Sequence, residues 1–150
     1  SIATGLVVVI ILGICVGVHY GTAGYKEYKK AIEETPIEVK IAEIKEMENF
    51  TSKEELPEIY INAVIAVEDY NYYNHGAISI ASTMRAIFTN IRKKELTMGG
   101  STITQQVAKN LYFTQEKTLT RKIAELFMAI ELEKRYDKDE IFEFYVNIQF

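Results

Sequence analysis

Apolar and polar positions follow two regimes along this chain. From Ile2 to Val18 the sequence reads IATGLVVVIILGICVGV, with no charge in it. A helix that crosses a bilayer needs about 20 apolar residues, with about 17 as the lower limit. The run therefore predicts a single membrane anchor over residues 1–20, closing on His19 and Tyr20 at the interface. A cleaved signal peptide is one alternative, but the run exceeds the apolar core of about 7–15 residues that such a peptide carries. A buried core helix is the other.

Residues 21–55 are mixed and read as a juxtamembrane linker. Gly21 and Gly24 would loosen the exit from the membrane, and Pro36 interrupts helix. Ile37, Val39 and Ile41 alternate with charged or small residues, which predicts a short strand. No chemistry is visible in this stretch.

From Leu56 onward the pattern is helical. Pro57 suits a first turn and opens a segment with Ile61, Val64, Ile65 and Glu68 on one face. Ser79 can cap the next, where Ile80, Met84, Ile87 and Ile91 recur at helical spacing. Gly99 and Gly100 break the chain, and Thr102 with Gln105 forms a capping-box pattern. Leu119, Ile123, Leu126, Phe127 and Ile130 make an apolar stripe, and Asp137 with Glu140 repeats the capping box. Residues 56–150 thus read as one mainly α domain.

Composition narrows the function. The chain has 150 residues, room for one domain with a core. A net charge of −4 argues against non-specific nucleic-acid binding. Cys15 is the single cysteine, so no intrachain disulfide forms, and two His with one Cys give no His/Cys metal spacing. No Lys or Arg precedes the apolar run while Lys26, Lys29 and Lys30 follow it; by charge alone, the downstream side would be cytoplasmic.

Three stretches carry more than packing. Glu68 and Asp69 end an apolar helix and lead through Tyr72 to His75 and Gly76. Acids there oppose the helix dipole, and a carboxylate at the edge of an apolar wall is a candidate for proton transfer. A solvated helix end with an aromatic loop would look the same. The second stretch runs from Gly99 and Gly100 through Ser101, Thr102, Gln105, Gln106 and Lys109 to Asn110. Glycines and hydroxyls at a helix start favour anions, although an ordinary capped helix has the same local pattern, and no P-loop is present. In the third, Arg121 and Glu125 stand at i,i+4 beside Lys122, a spacing that reads locally as a surface ion pair.

In this order and spacing, the segments resemble the peptidoglycan glycosyltransferases of family 51. Members of this family are the first domain of class A penicillin-binding proteins and the monofunctional transglycosylases. Glu68, Asp69, Tyr72 and His75 match the first motif, with Tyr where Phe is usual and with Gly76 directly after His75, Ala77 taking the usual glycine position. Gly99 to Asn110 match the second, Arg121, Lys122 and Glu125 the third, and Lys138 to Asn147 the fourth.

The resemblance implies a lysozyme-like helical domain behind a membrane anchor. It also implies that the domain continues past Phe150, so the chain is expected to be truncated there. The implied reaction polymerises lipid II by inverting transfer from a polyprenyl-pyrophosphate donor to an acceptor 4-hydroxyl. Glu68 would be the general base and Glu125 the second essential carboxylate. Lys109 and Arg121 would hold the pyrophosphate, with Ser101, Thr102, Gln105, Gln106 and Asn110 lining the cleft. Asp69, His75, Gly100 and Lys122 would support them. No cofactor is obligatory, and a divalent cation at Asp69 is the one metal the resemblance leaves open. The implied partners are lipid II, the growing glycan, membrane lipid and other cell-wall synthesis proteins. The place is the outer face of the bacterial cytoplasmic membrane, against the charge reading. A lysozyme-like hydrolase and a non-catalytic membrane scaffold are the rival functions.

Overall fold

The computed structural model describes residues 2–93, 99–114 and 116–149. Among them there is no strand. Seven α-helices follow one another: α1 (Ile2–Glu34), α2 (Ile37–Lys45), α3 (Glu58–Glu68), α4 (Ile80–Lys93), α5 (Ile103–Tyr112), α6 (Leu119–Arg135) and α7 (Lys138–Gln149). Short 3-10 turns lie at Lys53–Glu55 and Tyr72–Asn74.

The start of α1 carries the apolar run, and Leu6 to Val18 expose their large side chains. The helix is long and apolar enough to cross a membrane. It does not stop at the glycines. Gly21 and Gly24 lie inside one continuous helix, contrary to the expected loosening. Intrahelical hydrogen bonds continue through both residues, and Gly24 has a packing role. A Cβ there would stand 2.6 Å from Ile123 Cγ2, 2.7 Å from Ile123 Cβ and 3.0 Å from the Thr120 carbonyl oxygen. The absent side chain lets α1 lie against α6, and Tyr25 and Tyr28 then meet the Phe127 ring at 5.3 and 5.9 Å.

Gly24→Leu is therefore expected to cost about 1–3 kcal/mol, the usual range for overpacking. Ile123 cannot make room by turning its side chain, because its Cβ is part of the clash. Thermal unfolding in detergent checks this against Gly21→Leu, since nothing lies within 4 Å of a Cβ at Gly21.

The strand expected around Ile37, Val39 and Ile41 is helix α2 instead, with Pro36 at its N-cap. Ile37, Ile41 and Ile44 are buried at i, i+4 and i+7, while Val39 is exposed. The stretch expected to be a spacer thus supplies core.

That core is completed by Ile103, Val107 and Ala108 of α5, Met128, Ala129 and Leu132 of α6, and Ile141, Phe142 and Tyr145 of α7. The α6 core face is offset from the expected stripe. Ile123 and Phe127 of that stripe meet α1, while Leu119 and Ile130 are exposed, so α6 is apolar on two sides. Both capping boxes form. Thr102 and Gln105 exchange bonds at the start of α5, and Asp137 and Glu140 do so before α7.

Helix α4 is set apart. Ser79 caps it by accepting from the Ser82 N–H, yet Ile80, Met84, Phe88 and Ile91 are exposed. The Ile87 side chain lies outside the described part. Gly100 touches the inner side of α4, where a Cβ would come within 3.0 Å of Thr83 Cα.

Candidate active site

Three helix ends converge on one cleft of about 610 Å³. Helix α3 brings Val67 and Glu68 on its last turn. Gly99 and Ser101 lead into α5, which contributes Gln106 and Lys109. The start of α6 adds Lys117, Arg121, Lys122 and Glu125. Seven of the residues expected at the site therefore share it: Glu68, Ser101, Gln106, Lys109, Arg121, Lys122 and Glu125.

Glu68 is exposed to the cleft, and its Oε2 accepts a 3.0 Å hydrogen bond from Gln106 Nε2. Glu125, which also lines the cleft, is only 1% exposed. Arg121 Nη1 donates to its Oε2 at 2.9 Å, and Lys122 Nζ donates to its Oε1 and, at 2.8 Å, to Ser101 Oγ. The pair expected on the surface is thus buried, because the packed helices take Glu125 out of water. Arg121 Nε is also buried and has no hydrogen-bond partner among the described residues. An unmet buried donor is costly in a native structure. Lys109 and Lys117 make no ion pair with any described carboxylate. Burial pushes the Tyr145 phenol up to about 12, with the Glu68 charge adding to the shift, so it stays protonated beside the carboxylate.

Other expected cleft residues serve elsewhere. Thr102 and Gln105 are buried as the α5 cap, and Thr102 Oγ1 donates to the Ala77 carbonyl at 2.8 Å. Thr102 Oγ1 and Gln105 Oε1 are held by backbone groups. Asn110 bonds Gln149 at 3.0 Å and does not line the cleft. Gly100 is a packing residue against α4. Asp69 and His75 stand behind Glu68, in the loop that follows it. Asp69 accepts from Ile103 N at 3.2 Å and meets His75 Nε2 at 2.6 Å. With both oxygens engaged and buried, a divalent ion at Asp69 does not fit. Among the described residues no group of three His, Cys, Asp or Glu is placed to hold a metal.

Sequence reasoning missed Lys117 and Val67. A signal for Lys117 existed. Helix α6 has no acid in its first turn and collects Lys117, Arg121 and Lys122 at its positive end. Cations there oppose the dipole, which is tolerable where an anion is to be held.

A family model described as Transglycosylase matches residues 37–150. The chain belongs to this family. The match begins at the first residue of α2, so this helix is part of the transglycosylase domain. The chain is 46% identical over 98 residues to Penicillin-binding protein 1A of Aquifex aeolicus (strain VF5), covering 65% of this chain and 14% of that protein. It is 42% identical over 110 residues to Monofunctional glycosyltransferase of Staphylococcus aureus (strain Newman), covering 71% of this chain and 40% of that protein. The matched part is thus well under two thirds of either relative. Within the transglycosylase fold, Glu68 and the cations line one cleft, an arrangement able to take a proton at one group and steady an anion at others.

Proposed function

We propose that this chain is membrane-anchored and carries transglycosylase sequence of a peptidoglycan glycosyltransferase that polymerises lipid II. The observation that carries the reading is the pairing of one exposed carboxylate, Glu68, with Lys109, Lys117, Arg121 and Lys122 across a single cleft. The acceptor 4-hydroxyl gives its proton to Glu68 as its oxygen attacks the donor's anomeric carbon. The bond to the polyprenyl pyrophosphate breaks on the opposite face, which inverts the centre. The leaving pyrophosphate gains negative charge, and charged donors held in place stabilise it. Arg121 and Lys122 are already shared with Glu125, so Lys109 and Lys117 are the cations with charge to spare. A hydrolase works with two carboxylates and water and has no use for a wall of cations.

The same reading places the exposed apolar side chains of α4 in the lipid surface, next to the membrane-bound tails of both substrates. It puts the domain on the outer face. Here the reading goes against the lysines after the anchor, which by charge alone favour the cytoplasmic side.

The test uses the full-length parent in liposomes with labelled lipid II. Lengthening strands on a gel, with release of polyprenyl pyrophosphate, are expected. Shortening of preformed glycan would mean a hydrolase, and lipid II binding with neither product a scaffold. Lys109→Ala and Lys117→Ala are each expected to lower kcat/KM about tenfold or more, since a hydrogen bond to a charged group is worth about 1.5–3 kcal/mol. Initial rates against lipid II concentration check this, and unchanged rates would remove either lysine from the pyrophosphate site.

A further inference from the structure

We infer that α1 is a strut as well as an anchor: Gly24 locks it against α6, and this lock sets the height of the cleft's cations above the bilayer. The height rests on the membrane reading of α1, and its effect on rate rests also on lipid II as substrate.

No slack lies between the apolar run and the domain. The large side chains from Leu6 to Val18 are exposed, and by Gly24 the helix is already buried. Gly24 comes six residues after Val18, about 9 Å along a helix that rises about 1.5 Å per residue. The helix is unbroken over that interval. Thr22, in the middle of it, turns its hydroxyl back to the Val18 and His19 carbonyls. Beyond it, Gly24, Tyr28, Ala31 and Ile32 recur at helical spacing and face the domain. Past the last turn, the Tyr112 hydroxyl of α5 donates to the Thr35 carbonyl at 3.0 Å, and Ile37 of α2 is fully buried. A flexible linker would let the domain drift over a range of heights. A continuous helix fastened along its last turns holds one.

The place of fastening matters. On α6, Thr120, Ile123 and Phe127 meet α1, while Arg121, Lys122 and Glu125 line the cleft. At about 3.6 residues per turn these two sets fall on opposite faces of the same turns. The anchor therefore grips the back of the turns that present the cations, about one helix diameter or 10–12 Å away. The headgroup layer on one side of a bilayer is about 5–8 Å thick. A polyprenyl pyrophosphate keeps its charged group in that layer, since lifting it would draw its apolar chain into water. A rigid α1 brings the cations to that depth. A Cβ at Gly24 would stand 2.6 Å from Ile123 Cγ2, so glycine is what lets the two helices close. Gly24 touches no substrate and is a positioning residue.

The experiment inserts a seven-residue helical segment, alanine-rich with one Glu and one Lys, between Gly21 and Thr22 of the full-length protein. It adds about 10 Å and nearly two whole turns, so the docked face keeps its direction. Its charges keep it out of the hydrocarbon. Height is read in liposomes by energy transfer from a dye on Glu116→Cys, in a Cys15→Ala background, to acceptor-labelled headgroups. Glu116 is exposed and adjoins Lys117 of the cleft. The insertion should move the dye about 10 Å further from the headgroups. An unchanged distance overturns the strut. Kinetics then use two substrates, lipid II embedded in the liposomes and a short-tailed analogue supplied from solution. A misplacement of about 1 Å can cost about 10²-fold, so kcat/KM for embedded lipid II should fall by at least that much. For the analogue, which reaches the cleft at any height, it should stay at the wild-type value. Equal loss on both substrates would mean a damaged fold and overturns the positioning role, and so does wild-type activity on both. If the wild type polymerises neither substrate, the proposed function falls while the energy transfer still decides the strut.

Discussion

Glu125→Ala is expected to destabilise the protein by about 3 kcal/mol, toward the lower end of the range for breaking a buried ion pair from one side. Glu125 is buried between two cations. Its removal leaves Arg121, whose side chain is only 12% exposed, with charge and donors unmet. Its Nε already lacks a partner among the described residues. Lys122 is more open and can turn to water, which keeps the cost from rising further. Glu125→Gln keeps an acceptor and should cost less, about 1–3 kcal/mol. Denaturant unfolding in detergent measures both. A Glu125→Ala midpoint equal to wild type would show that the pair adds nothing to stability. The double variant Arg121→Met with Glu125→Leu separates stability from function. Replacing a whole buried pair by apolar groups is often neutral or stabilising. Recovered stability without polymerisation would mean that the pair is kept for its charge in the cleft.

The parts of this site that were legible in the sequence are those decided within a few residues. Thr102 with Gln105 and Asp137 with Glu140 predicted both capping boxes, because a cap is made by side chains three positions apart. The apolar run of α1 was equally plain. Helix α2 was misread because Ile37 and Ile41 fit both a strand's alternation and a helix's four-residue step. Ile44 settles the matter, since it lies on the helical face and is buried there. Gly24 read as loosening the exit from the membrane because its partner, Ile123, is remote in the chain. The i,i+4 spacing of Arg121 and Glu125 is the same on a surface as in a cleft, so nothing local could show the burial. Thr102 and Gln105 were expected to line the cleft, and the cap they form is buried. A motif marks which residues matter without saying which of them face outward.

Glu68→Gln is expected to lower polymerisation by about 10²–10⁴-fold, the usual contribution of a positioned acid or base. The protein should stay folded. Gln106 Nε2 can donate to the new amide oxygen as it does to Glu68 Oε2, so the side chain keeps its place. Glu68 is exposed and closes α3, where a negative charge opposes the helix dipole. Its loss should therefore leave stability unchanged or raise it by about 0.3–1 kcal/mol. An inactive variant at least as stable as wild type is what a base kept for chemistry predicts, and packing gives no reason to expect it. Glycan length from labelled lipid II and an unfolding midpoint on the same preparation test both halves. Wild-type polymer from the variant would remove Glu68 as the base, and a large fall in the midpoint would make it a structural residue. If polymer is lost and the midpoint is held or raised, the carboxylate stands in an unfavourable place because the acceptor hydroxyl needs it there.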